Sequence, residues 1–475
     1  MRIVNHPILD FPPQKEIHFT FDGKQITAYE GDTIASALHA AGIRVLSHSQ
    51  RLHHARGFFC AIGKCSSCIM EVDGVPNVKT CLVPVKEGMI VQSQTGWGKL
   101  PDHYCQTDHQ RKEFPIKQTD VAIVGAGPAG LSAAIYAARQ GAKVLVMDEN
   151  HLIGGQLIKQ THMFFGSKEH YARTRGIDIG KKLVEQCQGH DVEILTNCSV
   201  IGYFHPQQLA AIKDDHLFQV DAKKVIIATG ASENMLTFVG NDLPGVYGAG
   251  AIQTLMNVYG VIPAKRVLMV GAGNIGVIVS YQLLQAGVEV AAVVEALPTI
   301  SAYQVHASKL VRCGVPILTS HTIQRAYGNN RVEGATIVQL DEKWQEISGN
   351  ERDVEVDTIC LSVGLNPASE ILSQAGCRMI YIPELGGHVA WHDENMETTV
   401  KGIYVAGDVA GIEEASSAML EGRMAGIAAA ESLKGSSDEI QGLKKEVRKG
   451  LKSLREGPFG EKTRIGEKKM QEASL

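Results

Sequence analysis

Two glycine-rich turns constrain the fold of this chain more than any other feature of its sequence. Each stands between a run of apolar residues and a helix-like stretch: GAGPAG at residues 125–130 and GAGNIG at residues 271–276. An acidic residue, Asp148 or Glu295, follows each turn after about 20 residues, at the end of a second apolar run. This order is typical of the dinucleotide-binding units of parallel α/β sheets. The sequence therefore predicts two such units in tandem.

Each turn has the residue types that a dinucleotide site requires. Glycines permit a tight turn and a close approach to a pyrophosphate at the helix N-terminus, and the acid accepts hydrogen bonds from ribose hydroxyls. The candidate cofactor-binding residues are Gly125, Gly127, Pro128, Ala129, Gly130 and Asp148 in the first unit, and Gly271, Gly273, Asn274, Gly276 and Glu295 in the second. The second acid is followed by Ala-Leu-Pro without a nearby arginine, which favours NAD(H) over NADP(H) there. The alternative for this second site is a retained fold that holds an inert adenine nucleotide or nothing.

Four of the ten cysteines lie close together near the N-terminus, as Cys60-x4-Cys65-x2-Cys68-x12-Cys81. The first three match the C-x4-C-x2-C run of plant-type [2Fe–2S] proteins, with the fourth further along the chain. Small residues in this loop allow backbone amides to approach the sulfur atoms. We therefore predict these cysteines to be the ligands of a [2Fe–2S] cluster. Zinc and an empty site are the alternatives, and zinc is disfavoured because its sites usually contain a second C-x2–4-C pair.

The residues around this loop indicate a small α+β domain. Residues 16–29 alternate apolar and polar side chains around Asp22-Gly23, which predicts a β-hairpin. Asp32 is the predicted N-cap of a short helix over residues 33–38 that ends at Gly42. Residues 98–117 lack periodicity and are predicted to be a linker.

Three further segments narrow the class. They are Gly154-Gly155-Gln156, the strand-like run 225–230 that ends in Ala-Thr-Gly, and the run 402–408 that ends in Gly-Asp before a helix predicted over about 416–432. With these segments, residues 118–435 resemble the flavoproteins with two dinucleotide-binding domains, the thioredoxin-reductase-like group. The resemblance implies that the first unit binds FAD and that the second, inserted unit takes NAD(P)H. It also implies that Asp408 contacts the ribityl or pyrophosphate region, and it adds Gly155, Gln156, Thr229, Gly230 and Gly407 to the FAD site.

The expected fold class is α/β, with an N-terminal β-grasp ferredoxin-like [2Fe–2S] domain followed by tandem Rossmann-like FAD and NAD domains. The predicted parts are the cluster domain 1–97, the linker 98–117, the FAD-binding domain 118–262 with 367–435, the inserted NAD-binding domain 263–366, and a charged tail 436–475. Residues 434–475 carry a net charge of +4, although the whole chain carries −5. We expect this tail to be a solvated or loosely packed helical end. The alternative is a docking element for an acidic partner surface.

One departure from the thioredoxin-reductase-like group bears on the chemistry. The six cysteines outside the cluster loop contain no C-x2-C or C-x4-C pair: Cys105, Cys187, Cys198, Cys313, Cys360 and Cys377. A dithiol relay is therefore not expected. Because a flavin exchanges electrons in pairs or singly, the predicted electron partner of FAD is the cluster.

The order of the parts resembles the α-type subunits of heteromeric amine and amino-acid dehydrogenases. These include sarcosine oxidase, dye-linked proline or hydroxyproline dehydrogenases, opine oxidases and hydrogen cyanide synthase, and the runs 243–251 and 407–415 are similar to theirs. In such complexes a separate flavoprotein β subunit oxidises the amine and the α subunit relays electrons. The resemblance therefore implies an FAD-dependent oxidoreductase subunit in a hetero-oligomer, with an electron acceptor or carrier and no catalytic acid or base of its own. The alternatives are a self-sufficient NADH:acceptor reductase of the ferredoxin type and a nucleotide-bound scaffold.

Composition excludes several other classes. The net charge of −5 and the pI of about 6.4 give no electrostatic basis for nucleic-acid binding. No apolar run approaches the ~20 residues that span a bilayer, and the N-terminus has no signal-peptide core. We therefore expect a cytoplasmic protein with reduced thiols.

Overall fold

The computed structural model describes residues 1–99, 114–164, 168–214 and 216–473, and the chain divides into two compact units. The N-terminal unit holds the described part of residues 1–109 together with residues 233–364. The C-terminal unit holds the described parts of residues 110–232 and 365–475. Most of the predicted linker, as well as Cys105, lies outside the described residues, so the linker stays a prediction.

Residues 1–99 form the ferredoxin-like part of the N-terminal unit. Its elements are β1 (Glu16–Phe21), β2 (Lys24–Tyr29), α1 (Ile34–Ala40), β3 (Ser47–His48), β4 (Ala55–Arg56), β5 (Ile69–Val72), β6 (Val75–Lys79) and β7 (Ile90–Gln92). The main sheet has the order β2-β1-β7-β5-β6, with β1 and β7 parallel. The predicted hairpin is confirmed as β1 and β2, which pair antiparallel across Asp22-Gly23.

The predicted cap of α1 is wrong by one residue. Thr33 is the N-cap: its hydroxyl accepts a hydrogen bond from the Ser36 amide at 3.3 Å, and the Ser36 hydroxyl accepts one from the Thr33 amide at 3.0 Å. The carboxylate of Asp32 instead binds the guanidinium of Arg2 at 2.9 Å and accepts from the Tyr29 amide at 2.8 Å. Asp32 is buried, so its charge is held by the arginine rather than by the helix end.

The C-terminal unit begins with residues 114–232. Their elements are β8 (Ile116–Val124), α2 (Pro128–Arg139), β9 (Val144–Met147), a 3-10 helix (Gly155–Lys159), α3 (Gly176–Cys187), β10 (Val192–Leu195), β11 (Cys198–Phe204), β12 (Gln208–Lys213), β13 (His216–Ile227) and β14 (Ala231–Glu233), which runs one residue past the boundary. The strand, helix and second strand predicted around the first glycine turn are confirmed as β8, α2 and β9. Strands β10, β9, β8 and β13 are parallel neighbours.

The second glycine turn lies in the stretch 233–364 of the N-terminal unit. The elements there are β15 (Val246–Gly248), α4 (Ala249–Asn257), β16 (Arg266–Val270), α5 (Asn274–Gln285), β17 (Glu289–Glu295), α6 (Gln304–Arg312), β18 (Ile317–Thr319), β19 (His321–Tyr327), β20 (Gly334–Gln339), β21 (Arg352–Val354) and β22 (Thr358–Leu361). Strands β15-β22-β16-β17-β18 form an all-parallel sheet, and β19-β20-β21 form a small antiparallel one. The predicted second dinucleotide-type unit is thus present.

The C-terminal unit is completed by residues 365–473. Their elements are β23 (Leu365–Pro367), α7 (Glu370–Gln374), β24 (Met379–Ile382), β25 (Gly387–Ala390), β26 (Ile403–Val405), α8 (Ala415–Lys434), α9 (Asp438–Arg455) and α10 (Glu461–Glu472). Strand β26 pairs parallel with β13 and completes a seven-stranded sheet. Helix α8 packs backbone to backbone against α2, since a Cβ on Gly422 or Gly426 would clash with carbonyl oxygens of α2. These observations confirm the predicted α/β class.

The C-terminal helices are packed more firmly than expected. The predicted helical end is present as α9 and α10, but Ile440, Val447 and Leu451 of α9 belong to the main core of the C-terminal unit. The buried ammonium of Lys444 lies 2.8 Å from the carboxylate of Glu431 on α8. These apolar residues recur at helical spacing, which explains why α9 docks by one face.

The N-terminal unit has two buried apolar clusters, and both of its stretches contribute to each of them. Apolar residues of the ferredoxin-like sheet and of the parallel sheet belong to the same buried cluster. At its centre the imidazole Nε2 of His39 lies 2.7 Å from the hydroxyl of Tyr247. The amide of Ile3 donates to the carbonyl of Gly260 at 2.8 Å. Among the residues that the structure describes, no helix is long and apolar enough to cross a bilayer.

Candidate functional site

The four predicted cluster ligands lie together in the ferredoxin-like part of the N-terminal unit. Cys60, Cys68 and Cys81 are buried and Cys65 is half-buried. Three come from the loop between β4 and β5, and the fourth follows β6. The loop is tight, because Ala61, Gly63 and Ser66 all have positive φ. The fold therefore brings together all four cysteines that the sequence singled out.

Backbone amides of the loop point at the sulfur atoms. The amide of Cys65 donates to the Sγ of Cys60 at 3.4 Å. Backbone hydrogen bonds from Ile62 to Cys60, from Ser67 to Cys65, and from Gly63 to Cys81 also favour the thiolate forms. Such donors offset the negative charge of a thiolate-ligated cluster. These residues fit a [2Fe–2S] cluster.

The thiols are arranged as two pairs. A hydrogen bond from the thiol of Cys60 lowers the pKa of Cys65 to about 6, and one from Cys81 lowers the pKa of Cys68. The same bonds, with burial, raise the pKa values of Cys60 and Cys81. In the described parts of the chain, no group of three or more His, Cys, Asp or Glu side chains has the arrangement that a single metal ion requires. Two pairs suit a cluster of two irons better than mononuclear zinc.

The first glycine turn closes tightly on its own sheet. The amide of Gly125 donates to the carbonyl of Met147 at 2.8 Å, and a Cβ on Gly125 would clash with the carbonyl of Ala228. A Cβ on Gly130 would clash with the carbonyl of Gly125. In contrast, a Cβ on Gly127 would meet only the Cα of Gly155, at 3.9 Å. The middle glycine therefore leaves room beside the start of α2, as a pyrophosphate would need.

Asp148 ties the first turn to the end of β9. Its carboxylate accepts from the amide of Ala126 at 2.6 Å and from the amide of Asn150 at 2.8 Å. Burial raises the pKa of this carboxyl. Because each carboxylate oxygen has a second lone pair, the predicted hydrogen bonds from a ribose remain open to it.

The other residues predicted for the FAD site converge on the same turn. Gly155 faces Gly127 at the start of the 3-10 helix, and Gln156 beside it is exposed. Thr229 and Gly230 follow β13, and the Thr229 hydroxyl donates to the carbonyl of Ala368 at 2.7 Å. A Cβ on Gly407 would come within 2.8 Å of the Cβ of Ala129 at the start of α2. The fold thus assembles the predicted residues of this site within one unit, and Pro128 is the first residue of α2.

The Gly407-Asp408 turn carries a half-buried acid. Burial raises the pKa of Asp408 to about 6, and the backbone amide of Glu413 opposes this rise by donating to the carboxylate. The amide of Gly407 donates to the carboxylate of Glu421 at 2.8 Å, and Glu421 is paired with Arg455 at 2.6 Å. Sequence reasoning missed both residues. In the sequence, the only sign of Glu421 was an acidic residue among the apolar and small residues of a predicted helix. Nothing in the sequence distinguished Arg455 from the other basic residues near the C-terminus.

The second glycine turn repeats the first in the N-terminal unit. The amide of Gly271 donates to the carbonyl of Val294 at 2.8 Å, and a Cβ there would clash with the carbonyl of Ser362. A Cβ on Gly276 would clash with the carbonyl of Gly271, whereas one on Gly273 would meet only the Oγ of Ser301 at 3.6 Å. The spacing around the middle glycine again fits a pyrophosphate.

The acid of the second turn is held as Asp148 is. Glu295 accepts from the amide of Ala272 at 2.8 Å and from the amide of Leu297 at 3.0 Å. Asn274 was predicted from the sequence to bind the cofactor. In the structure its side-chain oxygen accepts a hydrogen bond from the amide of Tyr303 at 2.9 Å. Its amide nitrogen is the part of the side chain left to meet a ligand.

The cysteines outside the cluster loop form no disulfide among the described residues. Burial raises the pKa values of Cys187 and Cys198 to about 11, and it also raises those of Cys360 and Cys377. Cys313 is exposed. Buried thiols with raised pKa values are poor nucleophiles, so these residues are unsuited to a dithiol relay.

Comparison with known families confirms the predicted class. The family described as pyridine nucleotide-disulphide oxidoreductase matches residues 119–422, and the 2Fe-2S iron-sulfur cluster binding domain matches residues 14–96. The chain is thus an FAD-dependent oxidoreductase that also carries a [2Fe–2S]-type domain.

Curated relatives are similar over most of the chain. The alpha subunit of sarcosine oxidase from Corynebacterium sp. (strain P-1) is 27% identical over 433 residues, which are 86% of this chain and 43% of that protein. An opine oxidase subunit from Agrobacterium tumefaciens (strain Ach5) is 29% identical over 334 residues, 66% of each protein. The chain therefore spans less than half the length of this sarcosine oxidase relative. Both relatives are named as subunits of oxidases, which confirms the predicted resemblance.

A solved structure supports the fold over nearly the whole chain. L-proline dehydrogenase from P. horikoshii aligns with a TM-score of 0.69 and 23% identity, covering 94% of this chain and 79% of that chain. At this identity the likeness concerns the fold alone.

Proposed function

We propose that this chain, which belongs to the pyridine nucleotide-disulphide oxidoreductase family, is the electron-transfer subunit of an amine or imino-acid dehydrogenase complex. The observation that carries the proposal is a buried loop of four paired cysteines in the same chain as a flavin-type unit. The described residues contain no disulfide outside that loop, and four of the thiols there have raised pKa values. We infer that electrons leave the flavin for the cluster and not for a disulfide.

The residues of the chain hold and orient the cofactors in this proposal. When bound, FAD supplies the exchange between electron pairs and single electrons. Asp148 fixes the turn that would receive the pyrophosphate, and Asp408 would bind the ribityl or pyrophosphate region of FAD. The amides around Cys60 and Cys65 balance the charge of the cluster. No side chain is assigned as a catalytic acid or base.

The substrate is proposed to be an amine or imino acid of the sarcosine, proline or opine kind. We propose that it is oxidised on a separate flavoprotein β subunit, so that this chain forms a hetero-oligomer and passes electrons to an external acceptor. The similarity to proteins named as subunits of sarcosine oxidase and opine oxidase supports this assignment. We also propose a cytoplasmic location, because the nine described cysteines are free of disulfides.

An anaerobic titration tests the proposal. The purified chain, loaded with FAD and cluster, is mixed with one equivalent of NADH while flavin and cluster absorbance are followed. We expect no reduction by NADH, full reduction of both centres by dithionite, and reduction by an amine only after the co-purifying β subunit is added. Stoichiometric reduction by NADH alone would overturn the relay role.

The Cys65→Ser variant supplies the matched control for the route of the electrons. In the complex with amine, we expect its flavin to be reduced as in the wild type, while a one-electron acceptor is no longer reduced. Acceptor reduction at the wild-type rate in this variant would show that the cluster is not on the route.

A second candidate function is an NADH:acceptor reductase that works without a partner. It is favoured by the completeness of the second glycine turn, where Glu295 and the space beside Gly273 match the first turn. We propose NAD(H) as the ligand of this site, because Ala-Leu-Pro follows Glu295 and offers no cation to a 2′-phosphate. The NADH titration distinguishes the two functions. The domain bounds and cofactor contacts predicted from the sequence stand as proposals of the same kind.

A further inference from the structure

One arginine at the end of α9 is surrounded by three carboxylates. The guanidinium of Arg455 binds Glu413 at 2.9 Å and Glu421 at 2.6 Å, and it also pairs with Glu467 of α10. The side chains of Arg455, Glu413 and Glu421 are 14%, 10% and 6% exposed. A charged group this deep is kept only where its partners satisfy it. The cluster therefore joins the loop before α8, helix α8 and the two C-terminal helices.

Glu421 connects this cluster to the flavin-type site. While one oxygen of Glu421 binds Arg455, the other accepts from the amide of Gly407 at 2.8 Å. Gly407 has a positive φ of 79° and lies against Ala129 at the start of α2, so the turn has little freedom to relax. Asp408, the next residue, is the acid proposed above to bind the ribityl or pyrophosphate region of FAD. The carboxylate of Glu421 thus links the C-terminal helix to Gly407, and Glu413, whose backbone amide donates to the carboxylate of Asp408, adds a second link.

The charge of Glu421 depends on Arg455. Burial raises the pKa of Glu421, and Glu413 and Glu467 act in the same direction, while the guanidinium of Arg455 is the main opposing influence and favours the charged carboxylate. A hydrogen bond to a charged carboxylate is stronger than one to a neutral carboxyl. Removal of the arginine would leave the buried carboxylate of Glu421 without the cation that holds it in place, and its bond to Gly407 would weaken.

We propose that Arg455 is a positioning residue of the flavin site, which fixes the Gly407-Asp408 turn through Glu421 and so makes α9 and α10 part of the flavin-binding machinery. This inference rests on the proposed function, since it needs FAD at the first glycine turn. Arg455 lies outside the stretch 119–422 that the oxidoreductase family shares. The C-terminal segment thus supplies a part of the site that the family pattern does not contain.

The test compares FAD binding by the Arg455→Met and Arg448→Met variants. Arg448 lies on the same helix and pairs with Glu394 at 3.0 Å, without a hydrogen bond to Glu421 or Gly407 among those of the described residues, so its variant is the matched control. The dissociation constant is measured by refilling FAD-free protein, and the visible circular dichroism of the flavin is recorded at saturating FAD. We expect Arg455→Met to weaken FAD binding at least tenfold and to alter the dichroism. Arg448→Met should stay within twofold of the wild type.

A double variant separates positioning from stability. In Arg455→Met/Glu421→Gln, the side-chain oxygen of the new glutamine can still accept a hydrogen bond from the Gly407 amide, and no unpaired charge is buried. We therefore expect the double variant to bind FAD at least threefold more tightly than Arg455→Met. If Arg455→Met alone does not fold, the double variant is compared directly with the wild type in the same FAD-binding measurement. A lowered melting temperature with wild-type FAD affinity and dichroism in Arg455→Met, or no recovery in the double variant, would overturn the inference. Wild-type protein that takes up no FAD would instead refute the proposed function.

Discussion

The two glycine turns share one backbone design but differ in their surroundings. In both, the first and third glycines pack against carbonyl oxygens, and an acid at the end of the next strand accepts two backbone amides. The first turn is also approached by Gly155 and by the Gly407 turn. The second is flanked by Ile275 and Leu297, which are 43% and 42% exposed.

The comparison shows which residues determine the conformation of the turn and which determine how a ligand is bound. The shared glycines and acid determine the local conformation, and the additional segments determine how a ligand is held. An enclosed cradle suits a cofactor that stays bound, because the cost of ordering the site is met in folding. An open turn with exposed apolar side chains suits a nucleotide that exchanges. The predictions that follow test this distinction, beginning with the largest effect.

Valine in place of the middle glycine should block one site without unfolding either unit. Gly127 and Gly273 have extended backbones that valine adopts, and a Cβ on either has room within the protein. We expect Gly127→Val to weaken FAD binding by about 100-fold or more, because the new side chain occupies the space for the pyrophosphate. Gly273→Val should retain FAD and lose nicotinamide nucleotide binding.

Flavin absorbance after gel filtration and NADH binding by calorimetry measure the two effects. Gly442→Ala is the control, since a Cβ there meets nothing within 4 Å. Loss of FAD in Gly273→Val would break the comparison, because it would mean that the two turns do not act separately.

Neutral amides in place of the acids should give a smaller effect. In Asp148→Asn and Glu295→Gln, one of the two accepting oxygens becomes an NH2 group that faces a backbone amide. A hydrogen bond to a charged group contributes about 1.5–3 kcal/mol, so we expect roughly a tenfold or greater loss of affinity for the nucleotide at the altered turn alone. Equilibrium titrations of FAD and NADH against both variants measure it. Equal losses at both turns in one variant would contradict the prediction.

The smallest expected effect is a pH dependence at the first turn only. The pKa of Asp408 is raised to about 6 by burial, above the ordinary value near 3.9. Because the folded protein binds this proton more tightly than the unfolded chain, the free energy of unfolding without FAD should fall as pH rises from about 4 to 6 and then level off. Glu413 is the other acid that faces Asp408.

FAD affinity should follow the ionised form of Asp408. In its proposed role this carboxylate binds the ribityl or pyrophosphate region of FAD, so we expect affinity to rise severalfold between pH 5 and 7 and to be flat above. Asp408→Asn removes this inflection, whereas NADH binding at the second turn should not have it. An inflection that survives in Asp408→Asn would assign the titration to another group.

The sequence predicted the units whose geometry is local. The strand, turn and helix around Gly125 and Gly271 follow from spacing, because the clashes that require glycine involve atoms a few residues away or on the next strand. The four cysteines followed from spacing as well. Thr33 was missed as the cap of α1, since either Asp32 or Thr33 fits the cap preference and only the distant Arg2 decides between them.

Long-range polar contacts were beyond prediction from one sequence. Arg455 binds Glu421 across 34 residues, and His39 meets Tyr247 across 208. Charge patterning indicated a solvated tail, but it contains no information about which of its 11 basic residues is buried. Arg455 is buried because the apolar face of α9 packs into the core beside α8, which brings the C-terminal end of α9 next to the three acids.

The shared core of the N-terminal unit has a consequence for the synthesis of the protein on the ribosome. The amide of Ile3 bonds to the carbonyl of Gly260, and synthesis at ~5–20 residues per second separates the two by roughly 10 to 50 seconds. During that interval the apolar side chains of α1 are without the residues of the stretch 233–364 that bury them in the folded protein. Iron and sulfide delivered to the nascent cysteines would meet a loop without its final support. We therefore expect cluster maturation to be timed by the emergence of a segment synthesised long after its ligands.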